Sequence, residues 1–125
     1  MTIQKLGVEA FDDDTKLFKI PVRVVTPSAT THTIDMNASV AYSIVSVDYQ
    51  TNVGTLDVKF QIDAGSPVDV VFSGGDATLN VGTTALNETL SSAGAVAVGN
   101  VVTMIVSNLA STPTMLAVDL LCRRT

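Results

Sequence analysis

From Leu17 onward, apolar and polar positions alternate with period two in short runs broken by Gly, Asn, Asp, Ser and Pro, the pattern of half-buried strands. The alternation is cleanest in 55–63, where Leu56, Val58, Phe60 and Ile62 are expected inside and Asp57, Lys59, Gln61 and Asp63 outside. In 17–25, Phe18, Ile20, Val22 and Val24 oppose Lys19, Pro21 and Arg23; Pro21 has no N–H for a ladder, so this strand belongs at an edge or carries a break. A short strand over 31–36 puts His32, Ile34 and Met36 on one face. The next, 39–50, changes phase: Val40, Tyr42 and Ile44 share one face, then Val45, Val47 and Tyr49 the other. A bulge near Ile44 and Val45 accommodates that switch and lets the strand turn a corner or serve two sheets.

Thr51-Asn52-Val53-Gly54 and Ala64-Gly65-Ser66 have turn chemistry, and the second returns the chain into a strand over 67–72, making a hairpin. Shorter strands are expected over 77–81 and 84–90. Segment 101–107 is apolar on both faces, with Val102, Met104 and Val106 opposite Val101, Thr103 and Ile105, as in a central strand or one covered by a subunit. Segment 115–123 closes the chain, with Leu116, Val118, Leu120 and Cys122 inward and Met115, Ala117 and Leu121 outward. Leu86 to Ala95 has a weak helical pattern that Ser91, Ser92 and Gly94 argue against. The expected fold is all-β: a single jelly-roll-like β-sandwich of about eight antiparallel strands over 17–125, behind an extended N-terminal arm over 1–16.

A length of 125 residues fits one domain with a core of its own. With 46% apolar and only 15% charged residues, the chain has the opposite balance to a disordered one, and its small aliphatic and hydroxyl residues suit a surface partly covered by neighbours. The net charge of −5 and seven scattered basic residues disfavour nucleic acid and anionic membrane surfaces as partners. No apolar run approaches the ~20 residues of a membrane span, and Met1 to Glu9 has no secretory apolar stretch, so a soluble protein made in a cytoplasm is expected. Cys122 is the lone cysteine, which excludes an intrachain disulfide; it reads as a small buried hydrophobe.

The polar residues offer little chemistry. His32 is the lone histidine, and it is expected to hydrogen-bond locally within its strand. One His and one Cys do not make a zinc site, and no nucleophile sits beside a base. Asp57, Asp63, Asp69, Asp76 and Asp119 fall mostly at outward or turn positions, and nothing selects a catalytic pair. Asp12-Asp13-Asp14 lacks the alternating ligands and glycine of a calcium loop and reads as a solvated acidic turn. Among the aromatic residues Phe11, Phe18, Tyr42, Tyr49, Phe60 and Phe72, only Tyr49 is left for the surface by its place near a strand end. No catalytic, cofactor-binding or metal-ligating residue is assigned, and the chain is expected not to be an enzyme.

Four stretches together resemble small β-sandwich virion proteins of tailed bacteriophages. They are Ala41-Tyr42-Ser43-Ile44 leading to Val47, the run from Gly54 to Gly65, the run Val96-Ala97-Val98-Gly99-Asn100 continuing to Ser107, and Ser111-Thr112-Pro113 before Leu116. The order of strand, Gly turn, strand, V-x-V-G-N and strand is similar to capsid decoration (cement) proteins and to tail-fibre or spike modules. The resemblance spans Ser39 to Leu121, mostly as strand and turn grammar, and transfers no catalytic residue. It implies an oligomer, often a homotrimer, mounted on a virion with the major capsid protein as partner. A free-standing chain with a distinct N-terminal segment fits a decoration protein better than a fibre. The apolar outer positions near Met104, Ile105, Met115 and Leu121, with Phe11 in the arm, are then the candidate subunit or capsid contacts. The alternatives are a receptor- or carbohydrate-binding module of a tail fibre or spike and, ranked last, a β-sandwich enzyme using carboxylates.

Overall fold

A computed structural model describes residues 16–92 and 94–125. The strands are β1 (Leu17–Val25), β2 (Thr30–Asp35), β3 (Tyr42–Thr51), β4 (Thr55–Asp63), β5 (Pro67–Asp69), β6 (Val71–Phe72), β7 (Thr78–Val81), β8 (Leu86–Ser92), β9 (Ala95–Val96), β10 (Val101–Ala110) and β11 (Met115–Arg124). One sheet runs β1-β11-β3-β8-β6 with β9 also on β3; the other runs β2-β10-β4-β5 with β7 also on β4. All of these pairings are antiparallel. Without the short β5, β6 and β9, eight strands remain, ordered β1-β11-β3-β8 over β2-β10-β4-β7. That interleaving is jelly-roll topology, because the first and last described strands pair while the strands between them are shared out between the two sheets. The expected fold class therefore holds.

The inward residues of β4 behave as the alternation requires: Leu56, Val58, Phe60 and Ile62 are all buried. They meet Val102, Met104 and Val106 of β10 in their own sheet, and Leu116, Val118, Leu120 and Cys122 of β11 belong to the same core from the other sheet. Phe60 stands edge-on to Phe72 at 6.4 Å, and Phe18 edge-on to Tyr42 at 5.3 Å. Pro21 lies on β1, the outermost of the described strands of its sheet, where a missing N–H is tolerated.

The phase change in β3 is a bulge. Leu121 pairs with Ser46 while Cys122 pairs with Ile44, which leaves Val45 as the extra residue. The insertion brings Tyr42 and Ile44 before it, and Val47 and Tyr49 after it, onto the buried side. The strand stays in one sheet and turns no corner. The corner lies elsewhere: the single strand expected over 67–72 is split. β5 pairs with β4 in one sheet and β6 with β8 in the other. Val70 crosses between them, fully buried, with its N–H donating to the Phe60 carbonyl at 2.9 Å. Two smaller expectations also fail: Met36 lies beyond β2 and is 78% exposed, and Val40 precedes β3 and is exposed.

Cys122 is fully buried, as expected, and burial followed by the nearby Asp35 charge pushes its thiol up to about 12. Burial and the hydrogen bond to Asp35 hold the Tyr42 phenol well above its ordinary value of 10.0 too. Both groups ionise more readily in the unfolded chain. Their contribution is whole below pH 9 and is lost as pH climbs from 9.0 toward about 12 for Cys122, at up to about 1.4 kcal/mol per pH unit for each group. Urea unfolding at stepped pH is expected to show this decline, with a shallower slope in Cys122→Ala.

Candidate functional site

The contact residues named from the sequence do not form one surface. Met104 is fully buried between Phe60 and His32 on neighbouring strands, so it presents nothing to a partner and leaves the candidate set. Ile105 is half-buried on the outer face of the β10 sheet, paired with Thr31 and Lys59. Leu121 is half-buried on the outer face of the other sheet, paired with Lys19 and Ser46. Met115 lies at the start of β11 and is exposed beside its register partner Val25, itself 70% exposed. Phe11, Asp12-Asp13-Asp14 and all of the arm but Lys16 lie outside the described residues.

Exposed aliphatic side chains gather at the two ends of the sandwich. At one end, Val25 and Met115 lie near the β3–β4 turn, which exposes Val53. Asn52 fastens that turn: its Oδ1 accepts from the N–H of Met115 at 3.0 Å and of Thr114 at 3.2 Å, and its Nδ2 donates to Thr114 Oγ1 at 2.6 Å. Sequence reasoning treated Asn52 as turn chemistry only; nothing local marks its reach to a strand more than sixty residues on. The same end holds Thr26, Asn108, Ser111 and Thr112, the described non-glycine residues with left-handed φ, between 49° and 59°. Each such residue costs roughly 1–3 kcal/mol and persists where its surroundings fix it. Asn108, for example, donates from Nδ2 to Asp57 Oδ2 at 3.2 Å. At the far end, Met36, Val40 and Val98 are exposed on two loops tied together by Ala38 N–H to Asn100 O (3.0 Å) and Gly99 N–H to Ala38 O (2.8 Å).

An open groove of about 410 Å³ crosses the outer face of the β11 sheet, lined by Arg23, Asp48, Gln50, Asn87, Ala117 and Asp119 among others. Its polar groups already engage one another or the backbone. Arg23 Nη1 donates to Asp119 Oδ1 at 2.9 Å and to Val118 O at 3.1 Å, Asn87 Nδ2 donates to Asp48 Oδ1 at 2.6 Å, and Gln50 Nε2 donates to Thr83 O at 2.8 Å. Asp48 and Asp119 are direct register partners, a like-charge pair that Arg23 offsets. Tyr49 is not the surface ring expected: it is 5% exposed, because the Val45 bulge turns it inward. Burial, then the Glu88 charge, raises its phenol. Of the described aromatic rings, all but Phe18 are buried, and Phe18 is half-buried against Tyr42.

His32 does not hydrogen-bond locally as expected. Its Nε2 is buried without a partner among the described residues, on the core side of β2 opposite Met104. Among those residues no group of three or more His, Cys, Asp or Glu is placed to hold a metal ion, and no helix is long and apolar enough to cross a membrane.

No family model matches the chain, and no curated protein matches it. Solved structures of similar shape include a chain of the T13 viral particle of IBDV (12% identity, 85% of this chain, TM-score 0.49), of which this chain spans 30% of the length. They also include a chain of the acid-stable capsid of the Helicobacter pylori bacteriophage KHP30 (10% identity, 87% of each chain, TM-score 0.43). A third is the N-terminal cellulose-binding domain of a Cellulomonas fimi β-1,4-glucanase (8% identity, 88% of this chain and 79% of that one, TM-score 0.42). Shell proteins and a sugar-binding domain stand side by side here, and the likenesses do not choose between them.

Proposed function

We propose that this chain is a structural virion protein, a capsid decoration protein that binds the assembled shell and braces it. One observation carries the reading: of the eight large apolar side chains exposed among the described residues, six lie at the two ends of the sandwich, Val25, Val53 and Met115 at one and Met36, Val40 and Val98 at the other. Such side chains gain by being covered with protein surface. The sugar-binding alternative wants the reverse, an exposed ring for the apolar face of a sugar and free polar groups for its hydroxyls. The described rings are turned inward, and the donors lining the open groove are spent on their neighbours. The carboxylate-enzyme reading finds no support in the Asp48 and Asp119 pair, which lies in an open groove with Arg23 across it.

Bracing follows from mass action. A protein that binds the assembled lattice and not its free subunits stabilises the lattice by about 2.7 kcal/mol per site at a hundredfold excess over Kd. The test is co-sedimentation of the purified chain with shells of the virus that encodes it, stripped of the chain, and separately with dissociated coat subunits. Saturable binding at fixed stoichiometry to shells alone is expected. Binding to host-cell glycans with none to shells would replace this reading with the receptor-binding one.

A further inference from the structure

Among the described residues the charges are sorted to opposite flanks of the sandwich. β5 leads directly through Val70 into β6, so the outer edges of the two sheets at β5 and β6 share one flank, and β1 and β2 share the other. Five of the six described basic residues belong to the β1 flank: Lys16, Lys19 and Arg23 on or next to β1, and Arg123 and Arg124 at the end of β11 beside it. Only Lys59 lies elsewhere, 3.7 Å from Asp69. Of the carboxylates, Asp119 is occupied by Arg23 at 2.9 Å and Asp35 accepts the Tyr42 hydroxyl at 2.8 Å. Asp48 lies mid-sheet on β3 and accepts from Asn87 Nδ2 at 2.6 Å, and Asp57 and Asp63 lie on β4; toward the other flank come Asp69 on β5, which also accepts from Gln61 Nε2 at 2.8 Å, Asp76 in the loop after β6 and Glu88 on β8.

Among the described residues each flank also leaves apolar surface open between the sheets. On the basic flank Phe18, Ile20, Val22 and Val24 of β1 and Ile34 of β2 reach the core but stay only partly buried. On the acidic flank Val68 and Leu86 pair with the buried Ile62 and Tyr49, so they point to the core side, yet they are 53% and 46% exposed. An apolar seam framed by cations thus has its complement on the opposite side of the same molecule.

We propose that the chain associates head to tail with a second copy of itself, the basic β1 flank of one molecule docking on the acidic flank of the next around Asp69, Asp76 and Glu88. Pairing β1 against β1 would bring Lys19 of both copies together, Arg23 being offset by Asp119, so charge opposes the two-fold arrangement and favours the head-to-tail one. A head-to-tail contact leaves one basic and one acidic flank free at the ends, and it closes when the rotation between copies completes a ring. This deepens the decoration reading by naming the contact between subunits, and rests on that reading only in taking protein surface as what the chain binds.

The test is light scattering of the full chain across concentration and salt, with two flank variants: Lys19→Glu with Arg124→Glu, and Asp69→Lys with Asp76→Lys. Wild type is expected to associate, with an apparent Kd at least about tenfold weaker when salt rises from roughly 0.05 M to roughly 0.5 M. Each variant alone is expected to stay single where wild type associates, and an equimolar mixture to associate again, because each altered flank now meets its complement. If a reversal variant fails to fold by circular dichroism, Lys19→Gln and Asp76→Asn give the same readout in milder form. Association insensitive to these changes, or a wild-type chain that stays single throughout, would overturn the proposal. The shell assay separates the two readings: a single chain that still saturates shells removes head-to-tail docking alone, while an associating chain that ignores shells removes the decoration reading alone.

Discussion

Gly54→Ala is expected to destabilise the chain by at least about 3 kcal/mol. Gly54 closes the β3–β4 turn at φ 70°, where an L side chain is already strained. The new methyl would also run into the Ala110 carbonyl oxygen and lie 2.9 Å from that of Ser111. Those oxygens cannot retreat cheaply, because Ser111 and Thr112 themselves have left-handed φ. Nor is the turn free to tilt away: Asn52 ties it to Thr114 and Met115, and Thr51 Oγ1 donates to the Gly54 carbonyl at 3.2 Å. Urea unfolding measures the loss. Gly65→Ala is the control, since Gly65 has φ 122° but nothing within 4 Å of an added methyl. It is expected to lose clearly less, and equal losses would show that the backbone angle alone accounts for the effect at Gly54.

Phe60→Ala is expected to remove about 3–5 kcal/mol. The ring is fully buried, stands edge-on to Phe72, and belongs to the β4 segment whose backbone accepts the Val70 N–H where the chain changes sheets. Deleting it empties the core beside the crossover, and Phe72 loses its aromatic neighbour. The adjacent Lys59→Ala is expected to cost less than about 1 kcal/mol, because its contact with Asp69 is 3.7 Å long and partly solvated. Similar losses at both positions would contradict the assignment of inner and outer faces along β4.

Local pattern was enough to read the parts of the fold that depend on one strand at a time. The alternation in β4, the edge position of β1 from Pro21 and the bulge at Val45 all rest on a few neighbouring residues. The crossing at Val70 was not readable, because a period-two pattern looks the same whichever sheet the strand joins. Met104 shares parity with Val102 and Val106, so its burial was written in its own strand; naming it a contact gave more weight to an apolar run than to its phase. Tyr49 went wrong for the opposite reason, since nearness to a strand end says less about exposure than the inserted residue before it. The end cluster and the two charged flanks were beyond reach of spacing altogether. Val25 meets Met115, and Lys19 comes beside the end of β11, only because the first and last strands pair.

The proposed decoration role is tested most directly by electron cryo-microscopy of the intact particle whose shells bind the chain in the co-sedimentation assay. Jelly-roll density is expected in regular repeats over the outside of the shell, with one loop end of the sandwich, Val25, Val53 and Met115 or Met36, Val40 and Val98, set against the coat. A fully resolved shell surface bearing no such density, with the chain found only at the tail tip or missing from the particle, would contradict it.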